Sequence, residues 1–282
     1  MFKFENLKCI HIEVTSRCQA SCPMCNRNLY GGLKNPRLTL ADWTLEDFQT
    51  IINEEVLENL YQIMFCGHFG DPLINPHFLD MIKYLKEVNP NIMVNLHTNG
   101  SFYKEDWWTE LAQSLPTKHQ VHIGIDGLED THSLYRLDTN WAHIIRNAKA
   151  FIAAGGNAVW KMIKFDHNAH QVDECRTMAS ELGFIKFDLT DHSRSSGSVF
   201  DRQGNRVYQI GSGPSHPTTD TVIKWYDKYI EDDWMLQKTE KNSLSCYSQQ
   251  SKSIYVTANG EVYPCCYLGF RSEEHTSELQ SH

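Results

Sequence analysis

Apolar and polar positions along this chain follow two periods that take turns. Short runs rich in β-branched residues, at 10–15, 62–66, 92–97, 121–125, 159–165 and 185–189, read as strands. Between them, apolar residues recur three or four apart and predict helices over 44–59, 77–88, 105–115, 140–154 and 171–182. The first helix has Thr44 as its cap, Asp47 in capping-box position, and an apolar stripe of Leu45, Phe48, Ile51, Ile52, Val56 and Leu60. Trp107, Trp108, Leu111 and Leu115, like Ile144, Ile145, Ala148 and Ile152, fall at helical spacing and are expected in the core. Six strand–helix units in succession imply an α/β fold with parallel strands and right-handed crossovers. Such a chain curls into a partial, TIM-like (β/α)6 barrel whose open side could admit a large substrate.

The pattern changes near residue 193. Residues 193–198 and 211–219 are rich in Ser, Gly and Pro and read as linker, while 221–235 could form one more helix with Val222, Trp225, Tyr229 and Ile230 partly on one side. Residues 253–257 followed by Asn259-Gly260 read as a hairpin with a tight turn, leading into Cys265 and Cys266. The expected organisation is therefore a barrel at 1–192, a linker with a connecting helix at 193–245, and a small cysteine-containing hairpin domain at 246–270. The last stretch, 271–282 (Arg-Ser-Glu-Glu-His-Thr-Ser-Glu-Leu-Gln-Ser-His), looks like the translation of a sequencing-library adapter. It is set aside from fold reasoning, with the expectation that the natural chain continues past Phe270.

At 282 residues and 41% hydrophobic, the chain can bury a sizeable core. Its formal charge is −9, and removing the tail's one arginine and three glutamates leaves 25 basic against 32 acidic residues, a charge of −7. That balance argues against a nucleic-acid groove. No apolar run approaches the ~20 residues of a membrane span, and the first eight residues do not read as a leader, so a cytoplasmic protein without a membrane partner is expected. The nine cysteines are odd in number and concentrated in two short segments, which suggests metal ligation in a reducing compartment rather than a disulfide framework.

The first of these segments is Cys18-Gln19-Ala20-Ser21-Cys22-Pro23-Met24-Cys25, directly after the first strand. Thiolates are soft ligands suited to iron–sulfur clusters, zinc or copper(I), and a cubane has four irons to ligate. Three cysteines leave one iron open; a structural zinc knuckle or three reduced thiols are the plainer alternatives. In barrels of this kind function gathers at the C-terminal ends of the strands. There stand Gly67-His68-Phe69-Gly70-Asp71-Pro72 after the second strand, Thr98-Asn99-Gly100 after the third, and Asp126-Gly127 with His132 and Arg136 after the fourth. Asp166, His167, Asn168 and His170 end the fifth strand, and Asp188, Asp191 and His192 the sixth, as candidates for substrate contact or simply polar surface. Cys9, Cys66 and Cys175 have no neighbours at ligand spacing and read as small buried hydrophobes.

The C-x-x-x-C-x-x-C spacing resembles the radical S-adenosylmethionine (radical SAM) family. The resemblance implies that Cys18, Cys22 and Cys25 hold a catalytic [4Fe-4S] cluster whose open iron chelates the amino-acid end of S-adenosylmethionine. It implies one-electron cleavage of that cofactor to methionine and a 5′-deoxyadenosyl radical, which abstracts a substrate hydrogen. The 67–72 element is similar to the family's Gly-Gly-Glu-Pro element, with Asp71 in place of Glu, so Gly67, Gly70, Asp71 and Pro72 are assigned to the cofactor and Asp71 to its amino group. Asn99 and Asp126 lie in positions that resemble other family strand-end elements. The serine usual on the fourth strand is replaced by Gly124, and Arg136 could hold the cofactor carboxylate or form a surface ion pair. Met24 stands where an aromatic usually packs by the adenine. Cys246, Cys265 and Cys266 resemble the start of a SPASM or twitch extension, implying a possible second iron–sulfur cluster, with a zinc hairpin as the competing reading. The implied partners are an electron donor such as flavodoxin or ferredoxin and a peptide or protein substrate, with a small metabolite second. A non-catalytic zinc or iron–sulfur module remains the reading from a different class.

Overall fold

A computed structural model describes residues 4–25, 27–29, 31–36, 38–191, 197–210 and 247–266. After a 3-10 turn at Phe4–Asn6 come β1 (Cys9–Ile12), the cysteine loop, and a two-residue hairpin of β2 (Asn28–Leu29) and β3 (Leu33–Lys34). Then follow α1 (Leu45–Ile51), α2 (Glu54–Asn59), β4 (Gln62–Phe65), α3 (Phe78–Val88), β5 (Met93–Thr98), α4 (Glu105–Ser114) and β6 (His119–Gly124). The chain continues through α5 (Glu129–His132), α6 (Trp141–Ala153), β7 (Ala158–Lys164), α7 (Val172–Glu181) and β8 (Lys186–Asp191). A hairpin of β9 (Gly197–Phe200) and β10 (Arg206–Ile210) follows, and the described chain ends with α8 (Tyr247–Ser251), β11 (Ser253–Val256) and β12 (Val262–Tyr263).

One eight-stranded sheet organises these elements in the order β12, β11, β1, β4, β5, β6, β7, β8. All neighbours are parallel except β11 and β12. The six predicted strands and the helices predicted between them are present and in order. The hairpin expected of a separate small domain also forms, with Tyr255 opposite Tyr263, but β11 pairs with β1 from Cys9↔Ser253 to Ile12↔Val256 and so adds a parallel strand to the barrel sheet. The physical reason is that β1 would otherwise present an open edge of unpaired main-chain groups. The boundaries near 192 and 246, the 211–219 linker, the 221–235 helix and the 271–282 tail lie outside the described residues.

Period-two alternation decides which way each strand faces. Ile10, Ile12, Ile63, Phe65, Val94, Leu96, Val121 and Ile123 are fully buried on the helix-covered face, whereas the residues between them are mostly half-buried. Trp108, Leu111, Leu115, Ile144, Ile145 and Ala148 belong to this core, with Trp107 and Ile152 packed against it, as their spacing predicts.

The single helix predicted over 44–59 is two. Thr44 and Asp47 make the predicted capping box on α1, but α1 stops at Ile51, and the Asn53 side chain accepts from Val56 N at 3.0 Å to start α2. The break re-phases the apolar face, so that Phe48, Ile52, Leu57 and Leu60 are buried while Ile51 is 40% exposed. β1 also ends at Ile12, short of Thr15, because Val14 O accepts from Trp43 N and Ser16 N donates to Ala41 O, pulling the chain away from the ladder. No described helix is long and apolar enough to cross a membrane.

The buried Trp43 indole donates to Ala258 O at 2.9 Å and ties the β11–β12 turn to the body of the sheet. Replacing Trp43 by Phe keeps most of the apolar contact but leaves that carbonyl unpaired. A destabilisation of about 1–3 kcal/mol in urea unfolding is expected, with hydrogen exchange accelerated first at residues 253–263.

Candidate active site

The cysteine loop leaves the C-terminal end of β1 and is fixed from several sides. Ser21 N donates to Leu137 O and Ser21 Oγ to Asp138 Oδ2 at 2.7 Å. Asp71 N donates to Arg17 O at 2.9 Å, and the buried Arg27 guanidinium donates to Ser16 O. Cys22 is buried, Cys18 and Cys25 half-buried. Ala20 and Cys22 pack with Tyr135, Phe165, Val199 and Ile210 in a second small apolar cluster. Met24, placed by its position beside the third cysteine, packs against this cluster.

Val199 and Ile210 come from the β9–β10 hairpin, which the hydrophobic pattern does not predict. Its Arg202 donates to Ser21 Oγ at 2.9 Å and to Asp138, and Tyr208 OH donates to Leu134 O at 2.6 Å. The hairpin thus lies over the cysteine loop and shields it from water.

Burial raises the pKa of all three thiols, Cys22 to about 11 even with the Arg136 guanidinium nearby to favour its thiolate. Cys18 is pushed well above the ordinary thiol range, by burial first and then by the Asp71 carboxylate and the other two cysteines. Metal ligation must therefore displace protons from this loop. Among the described residues no three His, Cys, Asp or Glu side chains converge as ligands of a single ion. Three soft sulfurs spread along one loop instead suit a cluster, in which each thiolate takes its own iron. The donor set fits a [4Fe-4S] group at Cys18, Cys22 and Cys25.

Two buried carboxylates set the loops around these thiols. Glu13, which the sequence pattern does not single out, is 3% exposed; its Oε1 accepts from Phe69 N and Gly70 N at 2.8 Å each and its Oε2 from Tyr255 OH at 3.0 Å. Burial pushes its pKa up, and these bonds oppose the shift. Its signal in the sequence is one acid inside an otherwise apolar strand end. Gly70 is required where it stands, since a Cβ there would collide with the Thr15 carbonyl.

Asp71 is 6% exposed, and its pKa too is raised by burial against the pull of its hydrogen bonds. Oδ1 accepts from Leu73 N at 3.1 Å and Thr98 Oγ1 at 3.0 Å; Oδ2 accepts from Asn99 N at 2.8 Å and Asn99 Nδ2 at 2.7 Å. Pro72 opens the 3-10 turn that Asp71 caps. The carboxylate expected at an ammonium group is thus saturated by the protein's own donors. What it delivers is Asn99, whose Nδ2 also reaches Cys18 Sγ at 3.7 Å and whose Oδ1 accepts from Gln19 Nε2 at 2.7 Å. Cys25 Sγ donates to His68 O at 3.8 Å, so Gly67, His68 and Gly70 flank the same loop.

Asp126 and Arg136 form a buried ion pair, Nε to Oδ2 at 2.6 Å, with Asp126 fully buried. Asp126 Oδ1 accepts from Ile163 N at 2.6 Å, and His132 Nδ1 accepts from Asp126 N at 3.1 Å. Burial lowers the pKa of His132 to about 3, which keeps it a neutral acceptor. The alternative of a surface ion pair for Arg136 is overturned, since its partner is entirely buried. Gly124 has a steric reason: a Cβ there would stand 2.6 Å from an Arg136 guanidinium nitrogen, so the arginine occupies the space a serine side chain would need.

Asn168, expected at the mouth, is fully buried and structural: its Oδ1 accepts from Phe165 N and its Nδ2 donates to Asp126 O and Ile163 O. Cys175 is buried as predicted, whereas Cys9 and Cys66 are half-buried. Cys265 and Cys266 are half-buried, and His68 Nε2 donates to Cys266 O at 2.7 Å, which brings the C-terminal segment against the 67–72 loop. Cys246 and His192 lie outside the described residues.

Comparison with known proteins agrees with this architecture. The family model "Radical SAM superfamily" matches residues 12–174. The chain is 24% identical over 279 residues to the tungsten-containing aldehyde ferredoxin oxidoreductase cofactor-modifying protein of Pyrococcus furiosus, covering 92% of this chain and 71% of the relative. It is 23% identical over 181 residues to the PqqA peptide cyclase of Gluconobacter oxydans, 63% of this chain and 47% of the relative. Among solved structures, Streptococcus suis SuiB bound to the precursor peptide SuiA superposes with a TM-score of 0.60 at 14% identity, covering 95% of this chain and 62% of SuiB. The chain therefore spans about half to seven-tenths of these relatives' lengths. A family match across most of the barrel, running from the strand that launches the three cysteines to the helix after the fifth strand, places this chain in the radical SAM superfamily.

Proposed function

We propose that this radical SAM enzyme modifies a peptide or protein in the cytoplasm, receiving its electron from a small donor protein such as a flavodoxin or ferredoxin. The observation that carries the reading is the convergence of the Asn99 amide and the 67–72 loop on Cys18 and Cys25 at the strand ends. When bound there, cluster and cofactor supply the hard chemistry, reductive cleavage of S-adenosylmethionine to a radical that takes a substrate hydrogen. The protein's part is placement. Cys18, Cys22 and Cys25 give up their protons to become ligands. Glu13 and Gly70 fix the close approach of the neighbouring loop, and Asp71 orients Asn99 toward the cofactor. Arg136, with one edge held by Asp126, keeps a positive charge beside Cys22.

The peptide assignment is supported by the relatives, since one is named a peptide cyclase and the SuiB structure carries a precursor peptide. A second reading, a small-molecule substrate, is favoured by the Pyrococcus relative, which aligns along 92% of this chain and is named for modifying a cofactor. Cys246, Cys265 and Cys266 are proposed as part of a second cluster site.

Replacing Cys18, Cys22 or Cys25 singly by Ala is expected to abolish 5′-deoxyadenosine formation in an anaerobic assay, whereas the unaltered protein reconstitutes with about four irons from one cubane, because Cys246, Cys265 and Cys266 supply at most three of the four thiolates that a second cubane takes. Full 5′-deoxyadenosine yield from any one variant would remove that cysteine from the ligand set. Mass spectrometry of candidate peptides after turnover then tests the substrate class. Asp71→Ala frees Asn99 and is expected to weaken cofactor binding at least about tenfold, the ~1.4 kcal/mol of one charged hydrogen bond, with iron content unchanged. A parallel fall in iron would show that Asp71 serves the fold instead.

A further inference from the structure

The lumen face of the sheet carries an array of side chains that the cluster site does not use. His97 on β5 and His122 on β6 are paired in register and stack with ring centroids 4.3 Å apart and an interplanar angle of 6°. Lys161 on β7 stands one inward row nearer the strand ends, in register with Gly124 on one side and Asp188 on the other. Lys161 is half-buried, yet among the described residues its ammonium has neither an ion pair nor a hydrogen bond, while the neighbouring Asp188 pairs with Lys186 at 3.5 Å. Its charge acts on His97, His122 and Cys66, which belong to three different strands, so it projects across the lumen rather than out to solvent.

Two further groups on the same face are left unsatisfied. His122 Nδ1 and Asn95 Oδ1 are buried without a hydrogen-bond partner. Each such group typically costs about 1–3 kcal/mol, and unsatisfied polar atoms in a native fold call for an explanation. In a closed barrel this face would be packed with Val, Ile and Leu; here it holds Lys161, the Lys186–Asp188 pair, the imidazoles of His11, His97 and His122, and the Asn95 amide. Burial lowers the His97 pKa to about 3 and the His122 pKa to about 4, with the Lys161 charge adding to both, so the imidazoles stay neutral near pH 7 and each keeps one N–H to donate. With Asp188 paired to Lys186 at 3.5 Å, the net charge on offer is the single positive one of Lys161.

We infer that Lys161, flanked by His97 and His122, forms a subsite for a carboxylate group of the substrate, in the lumen beneath the cysteine loop. The assignment rests on the reading of the chain as an enzyme and adds the chemistry by which its substrate is held. A monoanion neutralises Lys161, and its two oxygens can also accept from the imidazole N–H groups. A phosphate dianion would leave an uncompensated negative charge in a half-buried site. A carboxylate could come from an acidic side chain or C-terminus of a peptide, or from a small organic acid.

The test is a titration of the cluster-loaded full chain carrying 13C-labelled histidine, with acetate as probe at constant ionic strength and acetamide as its neutral counterpart. Signals of His97 and His122 are assigned with His97→Gln and His122→Gln. Acetate is expected to shift both signals saturably and acetamide to leave them unmoved; Lys161→Gln should weaken the acetate response at least tenfold and Lys161→Arg should retain most of it. Equal responses to acetate and acetamide, or a Lys161→Gln protein that titrates like the unaltered one, would overturn the subsite. Inorganic phosphate binding more tightly than acetate would overturn the carboxylate assignment. The comparison of acetate with acetamide needs no variant, so it stands if Lys161→Gln does not fold. Cofactor cleavage by the unaltered protein is measured separately, so its failure would count against the enzyme reading alone. Once the subsite is established, a peptide with Asp or Glu competing with acetate where its Asn or Gln analogue does not would place the carboxylate on a peptide, and competition by succinate alone would place it on a small acid.

Discussion

A carboxylate removed from water must be surrounded by donors, and in this protein two buried carboxylates draw those donors from the loops that frame three cysteines. Glu13 takes the main-chain amides of Phe69 and Gly70, while Asp71 takes Thr98 and both nitrogens of Asn99. The loops after β1, β4 and β5 are thereby held to one another by hydrogen bonds to charge, which are stronger than those between neutral groups. Tyr255 completes the Glu13 shell from β11, so the strand added at the sheet edge is coupled to the same network.

The buried Asp126–Arg136 pair does comparable work on the other side of the cysteine loop. Breaking such a pair from one side leaves an uncompensated charge and is far more disruptive than its net contribution to stability suggests. Its position explains two features together: Gly124 makes room for the guanidinium, and Cys22 lies within reach of its charge. The β9–β10 hairpin then covers the loop with Val199 and Ile210, so the thiols sit in a dry setting, with the Arg136 guanidinium near Cys22 and the Asp71 carboxylate near Cys18.

The two faces of the sheet divide the labour. The helix-covered face is a conventional close-packed core, with Trp108, Trp160, Phe65 and Phe78 fully buried. The lumen face is half-buried and polar, which an open barrel permits because it has no need to fill its interior. Stability is concentrated on one face and chemistry on the other, and the period of two along each strand keeps them apart.

The sequence by itself determined the succession of six strands with helices between them, the core positions on α4 and α6, the capping box of α1 and the placing of three cysteines after the first strand. Each of these is local, a matter of period, cap or spacing read within a short window. It did not reveal Glu13, because a single acid in an apolar run has no partner nearby in sequence; its donors are 56, 57 and 242 residues away. Nor did it reveal that helix 44–59 breaks at Asn53, where the whole sheet decides which apolar side chains are buried. Asp71 was legible as an acceptor, but the identity of its donors was not, since Thr98 and Asn99 reach it only when β4 and β5 lie side by side. The seventh parallel strand and the stacked His97–His122 pair belong to the same class. They arise from register between strands distant in the chain, and register is fixed only when the sheet as a whole has formed.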